Sequence, residues 1–326
     1  MATQVIAKLQ NLFTEWCGRE PESVTPLPVS GSDRRYWRLA TGTESAIGTW
    51  NPVPEENEAF FHFTGKFREH GLNVPEIYKI DRGREIYLLE DLGDVSLFSL
   101  VEKRHREHPV TEQLIDLYKQ SLTELVKLQV IAGNSIDYSF CYPHDRFDRR
   151  SILWDLNYFK YYFLKLHIPF HEGRLEEDFE KLTRFLENAD NEHFMFRDFQ
   201  ARNIFIKNNK PYFIDYQGGR KGPLQYDVAS LLFQVKADLP FEIREDLLDY
   251  YISELNTIYP VDIKIFKDYY YGFALLRLLQ VLGAYGFRGL IEKKAHFITS
   301  IPFALKNLQW WLDHVDLQLD MPELLK

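Results

Sequence analysis

The stretch FRDFQARNIFIKNNKPYFIDYQ, residues 196–217, decides how the whole chain is read. Ile204-Phe205-Ile206 and Tyr212-Phe213-Ile214 are short runs of β-branched and aromatic residues. They flank the turn-rich Lys207-Asn208-Asn209-Lys210, which predicts a β-hairpin. Two strands of similar length joined by a tight turn return to where they began, so Asn203 and Asp215 stand together at the open end. Asp198 lies on the loop leading in, and three oxygen-bearing side chains converge. A carboxylate with an amide carbonyl is hard-ligand chemistry suited to Mg²⁺ on phosphates, with Asp198 left free for a second reactant.

Outward from this hairpin the chain divides in two. Residues 94–326 carry long helical patterns, such as Leu114, Leu117, Tyr118, Leu122, Leu125 and Leu128, and the hairpin is the one clear exception among them. Between Leu27 and Leu92 the runs Tyr36–Ala40, Ser45–Trp50, Glu76–Ile80 and Ile86–Glu90 read as strands. One helix interrupts them, opened by Pro54 with Glu55, Glu56 and Glu58 and closed at Gly71. The expected fold class is therefore α+β. It has a small antiparallel-sheet lobe with one helix over residues 1–93, and a larger helical lobe over 94–326, with a ligand cleft between them.

The composition sets limits on function. The chain has 326 residues, 45% of them hydrophobic and 27% charged, enough apolar material for a large core. Lys plus Arg total 39 against 48 Asp plus Glu, and the net charge of −9 argues against nucleic acid or an anionic membrane as partner. Cys17 and Cys141 are the only cysteines and fit no zinc or disulfide pattern. The apolar stretch Tyr269–Phe287 is broken by Arg277, Gln280 and three glycines, so a buried helix is expected there. The N-terminus spaces Val5, Leu9, Leu12 and Trp16 on a helical face, unlike a secretory signal, and the expected location is cytoplasmic.

Asp-x4-Asn, a hairpin and then Ile-Asp resembles the catalytic loop and metal-binding Asp of protein-kinase-like phosphotransferases, and is most similar to the aminoglycoside phosphotransferase and choline kinase superfamily. Asp227, in Gly222-Pro223-Leu224-Gln225-Tyr226-Asp227, stands where that pattern has a further Asp ahead of a helix. Several stretches look like the bacterial kinases acting on the anomeric hydroxyl of N-acetylmuramate and N-acetylglucosamine. They are Gly31-Ser32-Asp33-Arg34-Arg35-Tyr36-Trp37-Arg38, Gly71-Leu72-Asn73-Val74-Pro75, Leu88-Leu89-Glu90-Asp91-Leu92-Gly93-Asp94 and Arg197-Asp198-Phe199-Gln200-Ala201-Arg202-Asn203. The resemblance implies a two-lobe kinase-like fold, ATP as donor and Mg²⁺. Asp198 would act on the acceptor hydroxyl, Asn203 and Asp215 would hold the metal, and Asp227 would be structural. The Ser30–Arg35 turn, with Gly31, Ser32 and Arg34 or Arg35, would cover the phosphates, and Glu90–Leu92 would be the adenine hinge.

Three positions depart from that pattern. Phe196 stands where the family has His, Gln200 where close relatives have a second His, and Ser45–Trp50 holds no lysine to pair with phosphates. A replacement cation is expected from Arg35 or Arg38, paired with Glu56 or Glu58, the alternative being that both arginines are surface charges. For the acceptor, Trp154 and Asp155 could meet a sugar, and Arg202, Arg220 and Arg277 (with Lys221) could meet a carboxylate, although an aromatic cluster at helical spacing reads more readily as core. An amino sugar is the favoured acceptor by resemblance. Choline, an amino alcohol or an aminoglycoside remains an alternative, as does a catalytically inactive kinase-like binding protein.

Overall fold

The computed structural model describes residues 2–28, 33–104 and 109–326. Its N-terminal part is an antiparallel sheet of β1 (Ser23–Pro26), β2 (Arg35–Thr41), β3 (Glu44–Trp50), β4 (Ile77–Ile80) and β5 (Ile86–Glu90), in the order β1-β2-β3-β5-β4. Helix α1 (Ala2–Cys17) covers one face, burying Val5, Leu9, Leu12 and Phe13 against Trp37, Leu39, Ala46, Ile86 and Leu88. Gly48 on β3 permits this approach, since a Cβ there would lie 2.7 Å from the Leu9 and Leu39 side chains. Strand alternation then turns Ile47 to the opposite face, against the main core. The third strand thus offers an apolar side chain on that face and no cation.

Helix α2 (Pro54–Glu69) joins the sheet to the rest of the molecule. Proline at its first position and Glu55 and Glu56 in the first turn suit a helix N-terminus, and Gly71 at φ +71° ends it. Phe60 stacks on Tyr216 at 5.1 Å, Phe67 meets Tyr216 edge-on, and Phe63 and Phe67 meet Phe194 edge-on. Thr64 Oγ1 and Tyr216 Oη lie 2.7 Å apart. The helix whose N-terminus carries Glu56 is thereby keyed to the residue next to Asp215.

The remainder is mainly helical: α3 (Leu97–Lys103), α4 (Glu112–Val126), α5 (Arg149–Phe159), α6 (Lys165–His167), α7 (Glu172–Glu187), α8 (Leu224–Leu232), α9 (Phe241–Asn256), α10 (Ile263–Tyr285), α11 (Ala295–Ile298) and α12 (Ile301–His314). Every residue of α8 is buried. The α10 segment and the turn after it, Ile263–Ile291, are long and apolar enough to cross a membrane, but over half of the most apolar window is buried in the protein. Gly283 lets α10 close on α5, because a Cβ there would sit 2.8 Å from the Tyr158 and Phe159 backbone. The buried helix expected from the sequence is therefore present, and longer than its apolar stretch.

The expected hairpin forms as β7 (Ile204–Lys207) and β8 (Lys210–Phe213), paired antiparallel. Two elements differ from the sequence reading. A second two-stranded sheet, β6 (His193–Met195) with β9 (Arg220–Gly222), joins the hairpin among the helices, so the hairpin is not the only β element there. The first sheet also gains β1, ahead of Leu27. Strands of three and four residues are too short for an alternating pattern to register.

Candidate active site

The site is built outward from Asp227, at the start of α8 and wholly buried. Its carboxylate accepts N–H bonds from Phe196 (2.7 Å), Arg197 (2.9 Å) and Gln129 Nε2 (3.0 Å). Burial pushes its pKa up to about 7 against the pull of these donors. Arg197 is left-handed, at φ 78°, a costly conformation for a side chain of its size. Its guanidinium reaches back to Asp155, with both bonds at 3.1 Å, and to Tyr226 Oη at 2.8 Å. Phe196 is buried edge-on to Phe199 at 5.2 Å, so an apolar ring packs where the family has His.

Asp198 follows immediately, its side chain 42% exposed. Its Oδ1 accepts from Arg277 Nη2 at 3.0 Å and from Gln200 Nε2 at 3.4 Å. Enclosure pushes this carboxyl up, but Arg277, Arg202 and Arg197 outweigh it and hold its pKa below the ordinary value. Asn203 Nδ2 donates to the Asp198 carbonyl at 2.9 Å and lies 3.5 Å from Asp215 Oδ2. The three residues therefore converge as the hairpin requires, with Ile214 N–H on the Asn203 carbonyl at 3.0 Å closing its open end. Asp215 is left-handed at φ 70°, which turns its carboxylate toward Asn203 while Tyr216 enters the core. Burial, with Asp198 nearby, raises the Asp215 pKa, although Gln217 Nε2 donates to Oδ1 at 2.7 Å.

The cation that stands nearest the Asp215 carboxylate is Arg34. Only 4% exposed, it lies 2.6 Å from Glu56 Oε2 and 3.7 Å from Asp215 Oδ1. Burial opposes its charge, yet the Tyr36 and Tyr87 phenols, Glu56 and Asp215 leave its pKa raised. Its buried Nε has no hydrogen-bond partner among the described residues. The pairing expected for Arg38 needs correction. Arg38 is bound to Asp91 (2.7 Å) and Asp94 (2.8 Å), and Arg35 Nη1 donates to the Arg34 carbonyl. Of the two expected carboxylates, Glu56 meets the cation, while Glu58 pairs with Arg84 of the β4–β5 turn. Gly31 and Ser32 lie outside the described residues.

At the hinge Glu90 accepts from Lys207 Nζ at 2.6 Å, and the same amine reaches the Asp91 carbonyl at 3.2 Å. Leu92 is buried. The sequence shows Lys207 only as part of a turn; its side chain ties the hairpin to the end of β5.

The candidate acceptor residues separate. Trp154 is half exposed on α5 beside His144, and Asp155 is engaged by Arg197. Arg220 is buried with its Nε and Nη2 donating to the Gly218 carbonyl, and burial together with Arg197 lowers its pKa. Arg202 and Arg277, by contrast, line a cavity of about 220 Å³ that adjoins the catalytic loop through Gln200.

A family model described as the phosphotransferase enzyme family, APH, matches residues 23–261. The chain belongs to that family. This phosphotransferase is 25% identical over 221 residues to the N-acetylmuramate/N-acetylglucosamine kinase of Pseudomonas aeruginosa, a match over 66% of this chain. It spans 61% of that relative's length, under two thirds. With the enzyme of the same name from Neisseria meningitidis serogroup B it shares 23% identity over 301 residues, covering 89% of this chain and 86% of the relative. In fold it is similar to a choline/ethanolamine kinase family protein from Mesorhizobium loti (TM-score 0.62, 11% identity, 97% and 96% of the two chains). It is also similar to aminoglycoside phosphotransferase APH(4)-Ia in complex with ADP and hygromycin B (TM-score 0.57, 14% identity, 92% and 98%). The phosphotransferase thus has the protein-kinase-like α+β fold.

The donor set suits Mg²⁺. Asn203 donates through Nδ2 to the Asp198 carbonyl and lies against the Asp215 carboxylate, so its amide oxygen makes no hydrogen bond among the described residues. One carboxylate and one amide oxygen, with water and phosphate completing the shell, is usual for Mg²⁺.

Asp227→Asn replaces one of two acceptor oxygens by an NH₂ that faces backbone N–H. It is expected to lower unfolding free energy by about 2 kcal/mol, read from urea midpoints. An unchanged midpoint would show that the carboxylate does not hold the loop.

Proposed function

We propose that this phosphotransferase is an ATP-dependent kinase of an N-acetylated amino sugar, N-acetylmuramate or N-acetylglucosamine, acting on the anomeric hydroxyl. The observation that carries the reading is the meeting of Asp198, Asn203 and Asp215 in one cleft beside the cationic Arg34. The names of the two bacterial relatives support the acceptor class. Residues 1–93 would cover the nucleotide and residues 94–326 would supply catalysis and the acceptor pocket, with Glu90 and Leu92 at the hinge. Consumption of ATP fits a cytoplasmic enzyme, and an anomeric phosphate fits salvage of cell-wall sugars.

The chemistry requires little base strength, because phosphoryl transfer is governed by positioning and charge. Asp198 Oδ1 is occupied by Arg277 and Gln200, so Oδ2 is the oxygen left for the acceptor hydroxyl. Its lowered pKa keeps it ionised and able to accept that hydrogen bond. As the bond from the acceptor oxygen to the γ-phosphorus forms, the bond to the bridging oxygen of ADP breaks, and the hydroxyl proton passes to Asp198. Asn203 and Asp215 would hold Mg²⁺, which would neutralise phosphate charge. Arg34, oriented by Glu56, would donate to the phosphates.

Arg34 removes the main ground for reading the chain as an inactive binding protein, since a buried cation does stand at the site. The aminoglycoside and choline readings want carboxylates around a cationic acceptor, and the cavity by the catalytic loop has none among its described lining residues.

With N-acetylmuramate or N-acetylglucosamine, ATP and Mg²⁺, the enzyme is expected to release ADP in step with sugar 1-phosphate. Asp198→Asn should lower kcat by about 10²–10⁴-fold and leave ATP affinity nearly unchanged; normal turnover by this variant would overturn the assignment. Arg34→Gln should raise the KM for ATP by about tenfold, whereas Arg38→Gln should not. Equal effects of the two substitutions would contradict the role given to Arg34.

A further inference from the structure

The cavity beside the catalytic loop has a charge character opposite to that of the protein around it. It is framed by the turn carrying Gln200 and Arg202, by Ser230 of α8, by Lys236, by Arg277 of α10 and by His296 of α11. No described lining residue is Asp or Glu, although the chain carries a net charge of −9. Arg277 is engaged by Asp198, but neither Arg202 nor Lys236 has an ion-pair partner among the described residues. Ser230 is 2% exposed, and its buried hydroxyl has no hydrogen-bond partner among the described residues. A buried hydroxyl left unmatched costs about 1–3 kcal/mol, so in a cavity wall it marks a place where a ligand completes the bonding. The volume of about 220 Å³ lies below the roughly 300–1,000 Å³ of pockets for drug-sized ligands, which suits one small acceptor.

We propose that this cavity is the acceptor pocket and that it selects an acceptor bearing an acidic group, read by Lys236 and Arg202, with the Ser230 hydroxyl bonding the same acceptor. The assignment rests on the kinase reading above and adds a charge class to it. Arg277 bridges the two functions, since one guanidinium both lines the pocket and holds Asp198 at 3.0 Å. An acceptor seated there has its hydroxyl beside Asp198 and its acid beyond, toward Lys236. A cationic acceptor would meet like charge in a partly enclosed space. The shared chemistry is an anion, and either a carboxylate or a phosphate on the sugar could supply it.

The test compares kcat/KM for N-acetylmuramate, N-acetylglucosamine 6-phosphate, N-acetylglucosamine and choline, in the wild-type chain and in Lys236→Met, Arg202→Gln and Lys236→Arg. At least one acid-bearing sugar should exceed N-acetylglucosamine by about tenfold or more, with choline lowest. That ratio should collapse toward one in Lys236→Met or Arg202→Gln and be restored in Lys236→Arg. Because the readout is a ratio within one variant, partial misfolding does not mimic the result. Equal kcat/KM for the acidic and neutral sugars, or a ratio untouched by both substitutions, overturns the acid-reading pocket while leaving the kinase assignment standing. Turnover of choline alone overturns the amino-sugar reading, and the pocket proposal with it.

Discussion

The site depends on one buried carboxylate and the two backbone N–H groups it accepts. By bonding Phe196 and Arg197, Asp227 fixes the chain at the point where Arg197 adopts φ 78° and the loop reverses. The left-handed turn sends the Arg197 side chain back to Asp155 and presents Asp198 to the cleft. A residue of this size does not hold that conformation unaided, so the surrounding bonds must over-determine it. The hydrogen bond from Tyr251 Oη to Gln129 Oε1, at 2.5 Å, extends the same network to α9 and makes Gln129 a fixed donor to Asp227. Packing of the helical part is thus translated into the position of the Asp198 carboxylate.

Around this anchor, negative and positive groups alternate across the cleft. Asp198 faces Arg277, Asp155 faces Arg197, and Asp215 and Glu56 share Arg34. The pairing explains how three arginines tolerate burial and why the two cleft carboxyls shift in opposite directions. Asp198 has three arginines acting on it and is lowered, whereas Asp215 has burial and Asp198 against it and is raised. Helix α2 connects the sides: its aromatic face is keyed to Tyr216, and its N-terminal turn carries Glu56 to Arg34.

Much of this arrangement was legible in the sequence because it is local. Asp198, Asn203 and Asp215 lie within one loop and hairpin, and strand geometry alone brings them together. The choice among arginines was not legible. Arg34, Arg35 and Arg38 differ by one to four residues, and a single step along a strand reverses the face a side chain takes. Arg34 precedes β2, turns inward and meets Glu56, while Arg38 crosses to Asp91 and Asp94 at the hinge. The loss of Glu58 to Arg84 follows from the β4–β5 turn, a contact 26 residues distant in sequence. The cavity proposed for the acceptor was legible only through Arg202 and Arg277. Ser230, Lys236 and His296 come from three further elements and form no motif, and the bond from Arg277 to Asp198 spans 79 residues.

In the proposed cleft Arg34 attends the phosphates and Asp198 attends an acceptor seated in the cation-lined cavity. A crystal structure of the phosphotransferase with a non-hydrolysable ATP analogue, Mg²⁺ and N-acetylmuramate tests this most directly. The expected result is Arg34 on a phosphate oxygen, the metal held by Asn203 and Asp215, the anomeric hydroxyl on Asp198 Oδ2 and the carboxylate near Lys236. A sugar bound elsewhere, or an Arg34 that stays on Glu56 without touching the nucleotide, would contradict it.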